Sequence, residues 1–330
     1  MRTHKAIMQL LQDAQAERRC AYSHIPSEQS ALQRRAQAGE LVNTYRGSPS
    51  LYSDSSYWNR LTPPEQTLHI AKGLAHVHPD WIFSGLTAAT AYGFEHQWCL
   101  HNGSVSIATR HHGTQRLHQG LKRVYMPRAV AHTRRDSATG LLLVSPAHAL
   151  IECAHEYDFR FALPFFDSAL ARGVTVEEII KAYGKSHHSI VPVFHLLQQA
   201  NPRSENGGES LMRGTIYEDR FVMPRIQVSV KDPKTSSEYR VDFVWRLNNG
   251  RVVVAEYDGT QKYIDPSMTG NRSIQEMIVK ERERDDGLRR AGATEILHVT
   301  YPEVIDRVPL HLKLLKAGIP RRTGTTAGMS

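Results

Sequence analysis

Two carboxylates interrupt runs of apolar residues late in the chain. Asp242 lies inside Val241-Asp242-Phe243-Val244-Trp245, and Glu256 inside Val252-Val253-Val254-Ala255-Glu256-Tyr257, with Asp258 and Gly259 directly after. A carboxylate among apolar neighbours is costly unless a metal or cation compensates it. For any one acidic group at a strand end, a solvated surface position is the simpler reading. The interruption of two apolar runs together favours a shared divalent cation. An ion held by oxygen ligands lowers the pKa of a bound water and stabilises the charge that builds on a phosphoryl group under attack. The chemistry that fits is metal-assisted hydrolysis of a phosphodiester. Lys262 is the basic residue placed to meet the phosphate or the water, and Lys280 and Arg284 stand behind it.

These residues need a sheet to position them. Gln227–Val230, Tyr239–Trp245 and Arg251–Tyr257 each read as strands, the last two joined by Leu247-Asn248-Asn249-Gly250, a hairpin signal. A two-residue loop would send Asp242 to the face away from Glu256. A three-residue loop with a left-handed Gly250 pairs Leu247 with Arg251 and sets Asp242 across from Glu256. Cross-strand β-carbons are then roughly 5 Å apart, and Asp258 shares the face of Glu256. The longer loop is the prediction. A helix opening at Glu209 precedes these strands. A polar helix over Ser273–Arg290, stopped at Gly292, and a strand over Glu295–Thr300 follow them.

Upstream, helical spacing covers Lys5–Arg19, and Ser27 is the expected N-cap of a second helix reaching Ala38, with Gly39 as its stop and a strand over Leu41–Tyr45. Residues 1–52 therefore fit a winged-helix DNA-binding domain. Ser30, Gln33 and Arg34 fall on its recognition helix, beside Arg35, although two arginines on a helix are equally often a plain solvated face. Residues 57–200 form an α/β middle domain with a small-residue helix over Ser84–Tyr92, strands over Ser104–Thr109 and Arg123–Met126, and a helix capped by Ser145-Pro146. Asn201–Gly208 reads as a linker, 205–318 as the third domain, and 319–330 as a disordered tail. The expected class is α/β.

The composition narrows the function classes. A formal charge of +8 over 330 residues favours a polyanionic partner, of which DNA is the usual one. No apolar run approaches a bilayer span, and nothing at the start resembles a secretion signal. Three scattered cysteines argue against a disulfide framework and for a reducing cytoplasm. His96, Cys99 and His101 lie close together, but a second pair at zinc-finger spacing is missing, so structural histidines are expected there. His76, His78, His111-His112 and His187-His188 read as turn or loop residues. Tyr57-Trp58 reads as a packing cluster, and no nucleotide-cradling glycine loop is found.

Glu209-Ser210-Leu211-Met212-Arg213, Arg240-Val241-Asp242-Phe243, Glu256-Tyr257-Asp258-Gly259 and Lys280-Glu281-Arg282 through Leu288 and Gly292 resemble the very-short-patch-repair (Vsr-like) branch of the PD-(D/E)XK nucleases. The resemblance spans about Glu209 to Val304. It implies an α/β/α domain with a mixed sheet, Mg2+ (or Mn2+) on Asp242 and Glu256, and an upstream helical acid supplied by Glu209. Lys262 stands where many relatives have a histidine, and Asp258 where the broader superfamily keeps a lysine. Residues 1–200 resemble the AbiEi-type antitoxins of type IV toxin–antitoxin systems through Leu32–Tyr45, Ile82–Ala89 with Tyr92-Gly93, Val144–Leu150 and Asp167–Gly173. That resemblance implies DNA binding, a cognate toxin as partner, and a non-catalytic repressor as the alternative to a nuclease.

Overall fold

The computed structural model describes residues 2–110, 120–126, 133–184, 189–258 and 274–322. Lys262, His111, His112, His187, His188 and the tail from residue 323 lie outside them. The chain forms two compact units, Met1–Tyr157 with Arg172–Gln198, and Asp158–Ala171 with Gln199–Ser330.

The first unit opens with α1 (Arg2–Ala16), α2 (Pro26–Gln37), β1 (Leu41–Arg46) and β2 (Ser50–Asp54). Ile7, Ala31, Leu32, Leu41 and Tyr52 close a small core between the helices and the antiparallel β1–β2 ribbon. Helix α2 starts two residues earlier than a Ser27 cap suggests. Ile25 occupies the cap without a side-chain hydrogen bond, and Pro26 takes the first position, where its fixed φ suits a helix and its missing N–H is not needed. Gly39 ends the helix at φ +81, a left-handed conformation that favours glycine.

Next come α3 (Ser55–Trp58), α4 (Pro63–Val77), β3 (Ile82–Phe83), α5 (Gly85–Ala91), β4 (Val105–Thr109), β5 (Leu121–Tyr125), β6 (Arg134–Arg135), β7 (Leu142–Leu143) and α6 (Pro146–Glu156). The five strands β3 to β7 form one sheet in the order β5-β4-β3-β7-β6. Ser145 caps α6 and Pro146 opens it, as expected. Tyr45 and Leu51 of the β1–β2 ribbon join the same core as Phe83, Ile107 and Leu143. Residues 1–52 and most of 57–200 thus fall in one unit, from which Asp158–Ala171 is excluded.

Helix α7 (Phe159–Ala171) leaves that unit for the second, while α8 (Val176–Tyr183) and α9 (Ile190–Gln199) run on after it. Its Asp167 is buried against Arg213 at 2.5 Å. Arg213 lies on α10 (Gly207–Glu218), whose N-cap Asn206 accepts from the Gly208 and Glu209 backbone N–H groups at 2.9 and 3.0 Å. Gly207 and Gly208 are therefore the first turn of a helix, and the linker predicted through them ends before it. A β-carbon at Gly208 would collide with the Tyr257 ring, so glycine is required there.

The second unit continues through β8 (Arg225–Lys231), β9 (Glu238–Arg246), β10 (Val252–Asp258), α11 (Ile274–Arg290), β11 (Glu295–Thr300), α12 (Tyr301–Asp306) and α13 (Val308–Lys316). The sheet order is β11-β10-β9-β8, with antiparallel neighbours except the parallel pair β10–β11. On one face Leu211, Met212 and Ile216 of α10 and Leu310 and Leu314 of α13 pack on Phe243, Trp245, Val253, Ala255 and Tyr257. On the other, Leu288 of α11 packs on Val244 and Val254. Helices thus cover both faces of this mixed α/β sheet. No helix of the described residues is long and apolar enough to cross a membrane.

Candidate functional site

The β9–β10 hairpin has the longer loop. Leu247 N–H donates to Arg251 O at 2.9 Å, Gly250 N–H to Leu247 O at 3.0 Å, and Gly250 has φ +80. The register runs from Val252 opposite Arg246 to Ala255 opposite Phe243, the last regular pair, and Asp242 and Glu256 are the next residues beyond it. There the regular ladder stops. Tyr257 N–H donates to Asp242 Oδ2 at 2.8 Å. Side-chain alternation breaks at the same place: Phe243 packs on the α10 face, whereas Val241, two residues earlier, packs with Leu288 of α11.

On the other flank of Asp242, the β8–β9 register runs Ile226 to Phe243 and Val228 to Val241, which places Gln227 opposite Asp242. Gln227 has φ +52, uncommon for a side-chain-bearing residue. Its Nε2 donates to Asp242 Oδ1 at 3.2 Å and to Glu209 Oε2 at 2.8 Å. Glu209, 4% exposed, also accepts from Glu205 N–H at 3.1 Å and Asn206 Nδ2 at 2.8 Å. One amide therefore ties the acid of α10 to the acid of β9.

Glu256 has a different partner. Arg284 of α11 donates to its Oε1 at 2.7 Å and to Arg240 O at 2.5 Å, with the guanidinium 5.8 Å from the Tyr239 ring centroid. Asp258 also meets the α11 side, as its shared face with Glu256 predicts. His298 of β11 lies beside Glu256 in register, and its Nδ1 is 3.2 Å from Asp258 Oδ2 and 3.6 Å from Glu281 Oε1. Its Nε2 is 3.4 Å from the Asp285 carboxylate. The hydrogen bond to Asp258, with the nearby charges of Asp285 and Asp258, outweighs partial burial and raises the imidazole pKa to about 9.

Each Asp242 oxygen receives one protein donor and keeps one acceptor position, which suits an oxygen-preferring ion. The charge of Glu256 is met by Arg284, which a cation shared with Asp242 has to displace. Among the described residues, Glu209, Asp242 and Glu256 do not bring three ligand atoms within 4.8 Å of one another; Asp258, Glu281 and His298 do. Gln227, Asp285 and His298 were not singled out in the sequence, and Glu281 only within the Lys280-Glu281-Arg282 motif. For His298 the signal was available, since predicted strands over Arg251–Tyr257 and Glu295–Thr300 can place a histidine next to the acids.

The predicted DNA-contacting residues separate into two groups. Ser30, Gln33 and Arg34 form an exposed stripe on α2, and Lys280 is exposed on α11. Arg35 leaves that stripe: half-buried, it lies 3.7 Å from Met8 Sδ and 3.9 Å from Glu40. Arg284 is engaged by Glu256.

The histidines near Cys99 form a hydrogen-bond chain. His96 Nε2 and His101 Nε2 are 2.7 Å apart, and the outer nitrogens reach Phe94 O at 2.6 Å and Thr67 Oγ1 at 2.8 Å. Burial, with a smaller contribution from His96, pushes His101 down to about 3. Trp58 packs on the first unit's core, and Tyr57 Oη pairs with His69 Nε2 at 2.8 Å. No protein-family model, curated protein or solved structure matches this chain.

Proposed function

We propose that the protein binds DNA and that its second unit hydrolyses phosphodiester bonds with Mg2+ or Mn2+. The observation that carries this reading is the Gln227 amide that links Asp242 to Glu209, with Asp242 and Glu256 on the adjacent strands β9 and β10, one residue beyond their last regular pair. Helices on both faces of a mixed sheet are the α/β/α layout that the Vsr-like resemblance implies, and so support it.

In this reading Asp242 and Glu256 hold the cation, which supplies a water of lowered pKa and positive charge beside the phosphoryl oxygens. Gln227 fixes the Asp242 carboxylate, and Glu209 adds negative potential behind it. Asp258 assists from the neighbouring position on β10. Arg284, once released by Glu256, and exposed Lys280 meet phosphate oxygens. Lys262 keeps its proposed phosphate or water contact. In the first unit, Ser30, Gln33 and Arg34 contact the DNA, as in a winged helix. The cytoplasm suits these roles.

A second reading has one specific observation in its favour. Arg284 already meets the charge of Glu256, so the same fold can grip DNA without turnover, as an AbiEi-like repressor or antitoxin with a partner toxin. Strand cleavage of DNA by the full chain with Mg2+, with Asp242→Ala and Glu256→Ala as controls, separates the two.

A further inference from the structure

The geometry points to a transition-metal site, distinct from the Asp242–Glu256 pair, formed by Asp258, Glu281 and the Nδ1 of His298. These three side chains come from β10, α11 and β11, and each offers a ligand atom within 4.8 Å of the others. The Nδ1–Asp258 separation falls in the range an ion sets, and the Nδ1–Glu281 separation lies slightly above it. Ligands held at roughly 2.1 Å from a metal stand about 3.0 Å apart in octahedral and about 3.4 Å apart in tetrahedral geometry. The Nδ1–Asp258 and Nδ1–Glu281 distances are 3.2 and 3.6 Å. The Nδ1–Asp258 contact is also a hydrogen bond, which a bound ion would replace.

The far side of the imidazole is an independent indication. A metal-bound histidine characteristically donates its other ring N–H to a carboxylate, which fixes the tautomer and aims the free nitrogen at the ion. Nε2 of His298 is hydrogen-bonded to Asp285 Oδ2 at 3.4 Å, and Asp285 Oδ1, at the same distance, has no hydrogen bond of its own. One imidazole with carboxylates selects Zn2+ or a similar first-row ion over Mg2+, which prefers oxygen ligands alone.

The bland alternative is an imidazolium held between carboxylates, with no metal. Titrating the chelator-stripped full chain with Zn2+ in excess Mg2+ decides between them, because Mg2+ saturates any oxygen-only set. One equivalent of Zn2+ is expected to bind. His298→Gln and Glu281→Gln should each weaken it at least about 10-fold, and Asp285→Asn by about 10- to 100-fold. Asp242→Asn should bind Zn2+ as the wild type does, so loss of the hydrolysis reading leaves this result standing. Circular dichroism checks that each variant is folded, and Glu281→Gln, at an exposed position, serves if His298→Gln is not. Absence of saturable Zn2+ binding, or full affinity in Glu281→Gln, would overturn the site.

Discussion

Arg284 donates to the Glu256 carboxylate at 2.7 Å, one residue beyond the last regular pair of β9 and β10. The guanidinium thus stands where a shared cation would supply positive charge. The pair is partly screened, with side-chain exposures of 35% for Arg284 and 12% for Glu256. Replacing Arg284 by Gln should destabilise the fold by only about 1 kcal/mol, measured by urea unfolding. The rise in melting temperature caused by Mg2+ should grow in the variant, because the ion no longer competes with a guanidinium. A smaller rise would mean that Arg284 supports the ion rather than excluding it.

Gln227 holds two carboxylates with one amide. Gln227→Leu keeps much of the volume and leaves Glu209 and Asp242 without their common donor. A loss of about 1–3 kcal/mol is expected in chemical denaturation. Adding Glu209→Gln to that variant should recover part of it by removing one charge. Stability equal to the wild type in Gln227→Leu would show that the amide is dispensable.

His101 gives the first unit a pH dependence of definite sign. Its pKa is lowered to about 3 by burial, whereas an exposed histidine titrates near about 6.5. Between those values the unfolded chain takes up a proton that the folded chain refuses, so stability rises with pH. The contribution is complete above about 6.5 and is lost progressively as the pH falls toward 3. Unfolding free energies at pH 7 and pH 5 should therefore differ less in a folded His101→Gln variant than in the wild type. An equal difference would remove His101 as the source.

The two arginines of α2 should behave differently. Arg34 is exposed, so Arg34→Ala should weaken DNA binding across sequences and reduce the salt slope by about 1. Arg35 is turned toward Met8 and Glu40, and Arg35→Ala should leave that slope unchanged. Fluorescence anisotropy at several salt concentrations reads both. Identical slopes for Arg34→Ala and the wild type would place the DNA elsewhere.

Local chain rules made the hairpin legible. Asn248-Asn249-Gly250 specifies a three-residue loop with a left-handed glycine, and that loop sets the register as far as Ala255 opposite Phe243, one residue short of Asp242 and Glu256. The strand over Glu295–Thr300 and the stop at Gly292 followed from the same kind of signal. Gln227 was not legible, because a glutamine in an alternating strand reads as a solvent-facing residue and nothing local announces φ +52. Gly207-Gly208 looked like a linker since glycine disfavours helix. The reason for Gly208 is the Tyr257 ring, supplied by a strand far along the chain. The Arg213–Asp167 ion pair, which ties α7 to the second unit, is likewise long-range. Arg284 was legible as a basic residue near the acids, but its partner depended on how α11 lies across β10.

Nicking of supercoiled plasmid by the full chain in Mg2+ bears most directly on the hydrolysis reading. Wild type is expected to convert supercoiled to open-circular DNA, and a chelator should stop it. Asp242→Ala and Glu256→Ala, each shown to be folded, should slow the conversion at least about 100-fold, the scale of losing a central electrostatic group. Cleavage at the wild-type rate in both variants, or none by the wild type with Mg2+ or Mn2+ on duplex, nicked or single-stranded DNA, would contradict it.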